Sequence, residues 1–189
     1  MKNIQSICLS FLCLLFFFCT TSAARGADSF VVYDKVASCF PLAENGRTAS
    51  VVTDENDYKG VLRAAGDLRN DIFKVTGILP DMGKKKTCVI IGTAGKSALI
   101  DHLIKEGKIE ELAGKNEKFI VSTLQNPVEG IDEALVIAGS DKRGTVFGIY
   151  ELSSQIGVSP WYYWADAAIQ KRENLYIKKG IYTDRKSVV

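Results

Sequence analysis

One short run constrains the fold more than any other: Thr87 to Ile91, apolar without a break between the basic turn Lys84-Lys85-Lys86 and Gly92. A strand with one wet face alternates apolar and polar residues, whereas an unbroken run is buried on both sides. This run predicts a central strand with cover on each face. The cover is visible on either side of it. From Asn56 the period becomes helical, with Tyr58, Val61, Leu62, Ala65, Leu68, Ile72 and Val75 at three- and four-residue spacing and Gly77 placed as a C-cap. A second helix is predicted from Ser97 to Glu106. A third carries the stripe Val146, Ile149, Tyr150 and Ser153 to Ile156, ended by Gly157.

Further strands are predicted at Phe119–Leu124, Ala134–Ala138 and Asn174–Lys178. Near the start, Phe30–Val36 and Ala49–Thr53 read as two strands joined by the turn-rich stretch Pro41 to Gly46. That stretch contains Asn45-Gly46, a hairpin signal, so the domain is expected to open on a β-hairpin. Strands and helices alternate only in part. The expected fold is therefore α/β in the α+β sense: a mixed β-sheet covered by about three helices.

Residues 2–23 have the three parts of an export signal: Lys2, an apolar core from Ile7 to Phe18, and the small-residue end Thr21-Ser22-Ala23. The core is interrupted by Ser10 and is shorter than the ~20 residues needed to span a bilayer. Cleavage is expected after Ala23 or Ala24, with a periplasmic or extracellular product. Lipid attachment at Cys19 is a minor alternative, poorly served by the bulky Phe16-Phe17-Phe18 before it.

The expected organisation is a signal at 1–23, one α/β domain at 24–180, and at 181–189 the start of a linker or strand. That final stretch ends on Val188-Val189 with no polar tail, as an interrupted strand would. The whole chain carries a formal net charge of +2, and the signal removes only Lys2. So balanced a charge argues against a nucleic-acid binder.

Three of the five cysteines lie in the signal, which leaves Cys39 and Cys88. Two cysteines imply no disulfide framework. They pair if the fold brings them together, or Cys88 remains a buried thiol in its apolar strand. With His102 as the single histidine, no zinc site is read from this inventory and no Ser/His/Asp or Cys/His set is possible beyond what one histidine allows; His102 itself reads as a surface residue. No pair of carboxylates stands out as acid and base, so no catalytic, cofactor or metal residue is assigned.

Two loops lie between a strand and a helix, where backbone amides attract anions. Gly92-Thr93-Ala94-Gly95-Lys96-Ser97 has the flavour of a phosphate loop, but the glycine needed five residues before Gly95-Lys96-Ser97 is replaced by Ile90. Nucleotide binding is accordingly not expected; a tight turn capped by Ser97 or Thr93 is. Gly139 to Gly144 contains Asp141, Lys142 and Arg143, which suit either a carboxylated sugar or a plain turn with Asp141 or Ser140 as cap. The plain turn is preferred.

The last motif is Ser159-Pro160-Trp161-Tyr162-Tyr163-Trp164-Ala165-Asp166, which holds both tryptophans of the chain. Four adjacent aromatics cannot all enter one core, so Trp161, Tyr162, Trp164 and Asp166 are candidates for a sugar-stacking or interdomain surface, with the interdomain reading preferred.

The run ALVIAGSDKRGTVFGIYELSSQIGVSPWYYWAD, from Ala134 to Asp166, resembles the N-terminal domain of glycoside hydrolase family 115, the xylan α-1,2-glucuronidases. VIIGTAGKSALID, from Val89 to Asp101, and the segment from Phe40-Pro41-Leu42 to Gly77 with its VLRAAGDL helix agree with it. One departure is Asn116, where relatives are expected to carry a large aromatic. The resemblance implies an accessory α/β module, similar to the non-catalytic front domain of β-hexosaminidases and α-glucuronidases.

It also implies a partner, a catalytic TIM-type barrel that this chain lacks and that would supply the carboxylates for inverting hydrolysis. Xylan or glucuronic acid is then the implied ligand, and the chain alone is expected to be inactive. The alternative is a stand-alone carbohydrate-binding or protein-interaction module using Trp161, Trp164 and the Asp141 to Arg143 loop.

Overall fold

The computed structural model describes residues 29–159 and 168–183. Within them lie two sheets and three helices. The larger sheet has five strands in the order β4-β5-β7-β6-β9: β4 (Ser50–Val52), β5 (Thr87–Thr93), β7 (Glu133–Gly139), β6 (Phe119–Gln125) and β9 (Ile181–Thr183). β4, β5 and β7 run parallel, while β6 is antiparallel to both its neighbours, so this sheet is mixed as expected.

The central strands explain the unbroken apolar runs. Val89 and Ile91 of β5, Leu135 and Ile137 of β7, and Val121 of β6 face one core. Cys88, Ile90, Ala134, Val136, Ala138 and Ile120 face a second core on the other side. Both halves of each period-2 pattern are therefore buried. Helices α1 (Lys59–Thr76) and α3 (Lys142–Gln155) cover the first face, and α2 (Ala98–Lys105) covers the second through Ile100 and Leu103.

α1 buries Val61, Ala65, Leu68, Ile72 and Val75 and ends on Gly77, whose φ of 79° permits its amide to return to Phe73 O at 2.7 Å. Tyr58 departs from the expected stripe. It precedes the helix as N-cap and is exposed.

α3 departs more. Its buried face is Gly144, Thr145, Gly148, Ile149, Leu152 and Ser153, so the expected inward Tyr150 points out instead. The cause is the close seating of this helix. A Cβ on Gly148 would come 2.9 Å from Ile137 and 3.1 Å from Phe119, so only small residues fit where α3 meets the sheet.

The expected opening hairpin is also corrected. Cys39–Glu44 is itself a strand, β2, and turns through Asn45 and Gly46 into β3 (Arg47–Thr48); both turn residues have positive φ, 51° and 74°. Phe30–Val36 contributes only β1 (Val31–Val32), which pairs with β8 (Leu175–Lys178). β4 leaves for the other sheet. Together β1-β8-β2-β3 form an antiparallel second sheet packed on the first core through Phe40, Leu42, Leu175 and Ile177. Pro41 sits inside β2 where the register to β8 shifts, an irregularity that accommodates its missing N–H.

The two cysteines lie in different sheets and are both free. Burial pushes the Cys88 thiol up to about 11.

Candidate functional site: two closed loops and an open groove

The loop from Thr93 to Ala98 is filled by the chain's own groups. Thr93 N donates to Asp57 Oδ2 at 2.7 Å, Ala94 N to Gly139 O at 2.9 Å, and Gly95 N to Asp101 Oδ1 at 2.7 Å. Lys96 N and Ser97 N both donate to Thr93 O, and Ala98 N to Asp54 Oδ2 at 3.0 Å. Ser97 is the N-cap, as the preferred reading expected. No amide in this run is left for a phosphate. Amides of Asn56 and Ala98 hold the Asp54 carboxyl below its ordinary value, so the helix start already has its anion.

In the second loop the amides of Ser140, Arg143 and Gly144 are likewise engaged by the chain's own groups. Asp141 caps α3 by accepting from Gly144 N at 2.8 Å, and its other oxygen accepts from Glu117 N at 2.7 Å. Ser140 Oγ accepts from Lys118 N at 3.0 Å, and Arg143 pairs with Glu117 at 2.7 Å. Lys142 is exposed. Burial acts to raise the Asp141 pKa, but the amides of Gly144, Glu117 and Arg143 outweigh it and hold the carboxyl low.

Asp141→Ala is therefore expected to cost about 1–2 kcal/mol, read from the urea midpoint. The sign with pH follows from the depressed carboxyl. Its stabilisation is present above the unfolded value of about 3.9 and is lost as pH falls through the lower folded value. The stability of Asp141→Ala should thus decline less than that of the unaltered chain on acidification below that value.

Trp161, Tyr162, Trp164 and Asp166 lie outside the described residues. Their connection still bears on the site. They follow Ser159, beyond the C-terminal end of α3, whereas Asp141, Lys142 and Arg143 lie at or beside its start, and this 14-residue helix is about 20 Å long. The structure therefore does not bring the cationic loop to the attachment point of the aromatic segment. His102 is exposed on α2. Among the described residues no group of three or more His, Cys, Asp or Glu is placed to hold a metal ion.

A site the sequence reading missed lies between α1 and α3. The two helices run side by side in the same direction: Lys142 Cδ would come 3.8 Å from a Cβ on Gly60, and Tyr150 Oη donates to Asp67 Oδ2 at 2.9 Å. Between them is a groove of about 860 Å³ lined by Arg63, Asp67, Asn70 and Phe73 of α1 and Tyr150 and Ser153 of α3. The signal was present. Arg63, Asp67, Asn70 and Lys74 recur at helical spacing beside the apolar stripe, forming a second stripe along one side of α1.

No family model and no curated protein sequence matches the chain. Among solved structures it is similar to BtGH115A, described as a family GH115 4-O-methyl-α-glucuronidase with specificity for decorated arabinogalactans. The identity is 29% and the TM-score 0.64, over 76% of this chain and 18% of that one. It also aligns with CpGH84D at 15% identity and TM-score 0.43, over 79% of this chain and 22% of that one. A third alignment, with the Flavobacterium johnsoniae chitobiase FjGH20, has 11% identity and TM-score 0.41 over 82% of this chain and 19% of that one. The chain thus spans less than a fifth of the length of BtGH115A. That likeness fits a glycoside hydrolase-related accessory domain.

Proposed function

We propose that this chain is the accessory α/β domain of an exported α-glucuronidase-like glycoside hydrolase acting on the glucuronic acid side chains of xylan, and that it is inactive alone. One observation carries the reading: most of the chain matches BtGH115A, yet it spans only 18% of that protein. The loops agree with a non-catalytic role, because amides of Thr93, Gly95, Ala98 and Gly144 are already taken by Asp57, Asp101, Asp54 and Asp141.

The rest of the enzyme, on this reading, is a catalytic TIM-type barrel. Sequencing the DNA beyond the Val189 codon in all frames tests it: barrel-coding sequence in any frame supports the proposal, and an unrelated gene directly after a stop counts against it.

A second substrate reading follows from the specificity of BtGH115A for decorated arabinogalactans, which makes an arabinogalactan side chain the alternative to xylan.

Export is part of the proposal and rests on Lys2, the apolar core and Ala23. N-terminal sequencing of the protein recovered outside the cytoplasm should begin at Ala24 or Arg25. Recovery of a chain still starting at Met1 would refute the cleavage.

A further inference from the structure

We propose that the groove between α1 and α3 is a binding site for a neutral, hydroxyl-rich sugar chain, distinct from both glycine loops. Its volume of about 860 Å³ is that of a ligand cleft. Among the described residues its lining carries both signs of charge, Arg63 and Lys74 with Asp67 and Asp71, and Lys74 Nζ lies 2.9 Å from Asp71 Oδ1. A lining that carries both signs of charge, with Lys74 already against Asp71, does not single out an anion such as a glucuronate carboxylate. It does offer both hydrogen-bonding roles. Asn70 can donate and accept, and Asp67 keeps Oδ1 without a hydrogen bond among the described residues while Oδ2 takes the Tyr150 hydroxyl.

Two further observations point to a sugar. Phe73 and Tyr150 line the groove from the two helices and are 48% and 44% exposed, aromatic surface of the kind on which the C–H face of a pyranose stacks. Ser153, at the groove wall, is only 3% exposed, and its Oγ has no hydrogen-bond partner among the described residues. A helical serine usually returns its hydroxyl to a carbonyl one turn back, and a buried polar atom left unpaired is rare. Its Oγ is closed to solvent as the side chain stands, so a ligand hydroxyl reaches it when Ser153 turns to a rotamer that faces the groove.

The site belongs to this chain whatever enzyme it serves. Titrating the isotopically labelled chain with neutral xylohexaose and, separately, with galactohexaose, followed by amide NMR, tests it. The expected result is saturable shifts at Asn70, Phe73 and Ser153 with at least one of the two, and no such shifts with glucuronic acid. Phe73→Ala, at an exposed position, should weaken binding about tenfold or more while leaving the melting temperature unchanged. Ser153→Ala should weaken it in the same direction.

Flat titrations with both oligosaccharides, shifts confined to other regions, a groove that prefers glucuronate, or unchanged affinity in Phe73→Ala would each overturn the proposal. None of these outcomes touches the accessory-domain reading, which is decided by activity and by the neighbouring DNA.

Discussion

Gly139→Ala should yield a chain that barely folds. Gly139 ends β7 at the point where the chain turns into α3, and a Cβ there would overlap Thr145 N and Oγ1 and lie 2.6 Å from Thr145 Cα. Two of these atoms are helix backbone. They are further held by Thr145 N donating to Asp141 O at 3.0 Å and by Thr145 Oγ1 meeting Thr93 Oγ1 at 2.8 Å. Nothing nearby is the loose end of a side chain, so relief requires moving α3 off the sheet.

The expected loss is about 3–5 kcal/mol, a large part of the ~5–15 kcal/mol that holds a domain together. Gly66→Ala is the matched control. It lies mid-helix in α1 with nothing within 4 Å of the added Cβ, and should stabilise by up to about 1 kcal/mol. Urea midpoints that fail to separate the two substitutions would show that α3 is not seated as described.

The second large effect is expected at Asp57→Ala. This carboxylate is 5% exposed and joins two elements, accepting from Thr93 N at the end of β5 and from Tyr58 N at the start of α1, each at 2.7 Å. Alanine leaves the buried Thr93 amide unpaired, and hydrogen bonds to a charged acceptor are the stronger kind. The expected cost is about 3 kcal/mol, with Asp57→Asn losing roughly half as much because one acceptor oxygen survives. Equal urea midpoints for Asp57→Ala and the unaltered chain would mean that Asp57 does not link the strand to the helix.

These two residues also show what was legible in the sequence. The long elements were: the stripe of α1, the unbroken runs of β5 and β7, and the Gly77 and Gly157 terminators rest on local periodicity and turn chemistry, which a window of residues contains. The antiparallel sheet was not. β1 finds its partner β8 across nearly the whole chain, pairing Val31 with Ile177, and no local pattern names such a partner. Pro41 concealed β2 because proline ordinarily marks a turn, and the register shift that tolerates it arises only in the paired sheet. Helical spacing admits Tyr150 to the buried stripe, but the glycines of α3 rotate the packed face towards Gly144 and Gly148.

The candidate site was legible in a narrower sense. Both glycine loops occur between a strand and a helix as their residues indicated, and the failed phosphate spacing at Ile90 agrees with amides that are already engaged. The cationic loop and the aromatic segment are joined in the sequence only as parts of a stand-alone carbohydrate-binding or interaction module. α3 lies between the loop and Ser159, the last described residue before that segment. The polar residues of the groove sit beside the apolar stripes of the two helices, and apolar periodicity carries no signal of them.

The central claim, an accessory domain without chemistry of its own, is tested most directly by incubating the purified chain with glucuronoxylan and measuring released 4-O-methylglucuronic acid. The account predicts none above a no-protein control, whatever the protein concentration. Release that scales with the concentration of the chain would contradict it.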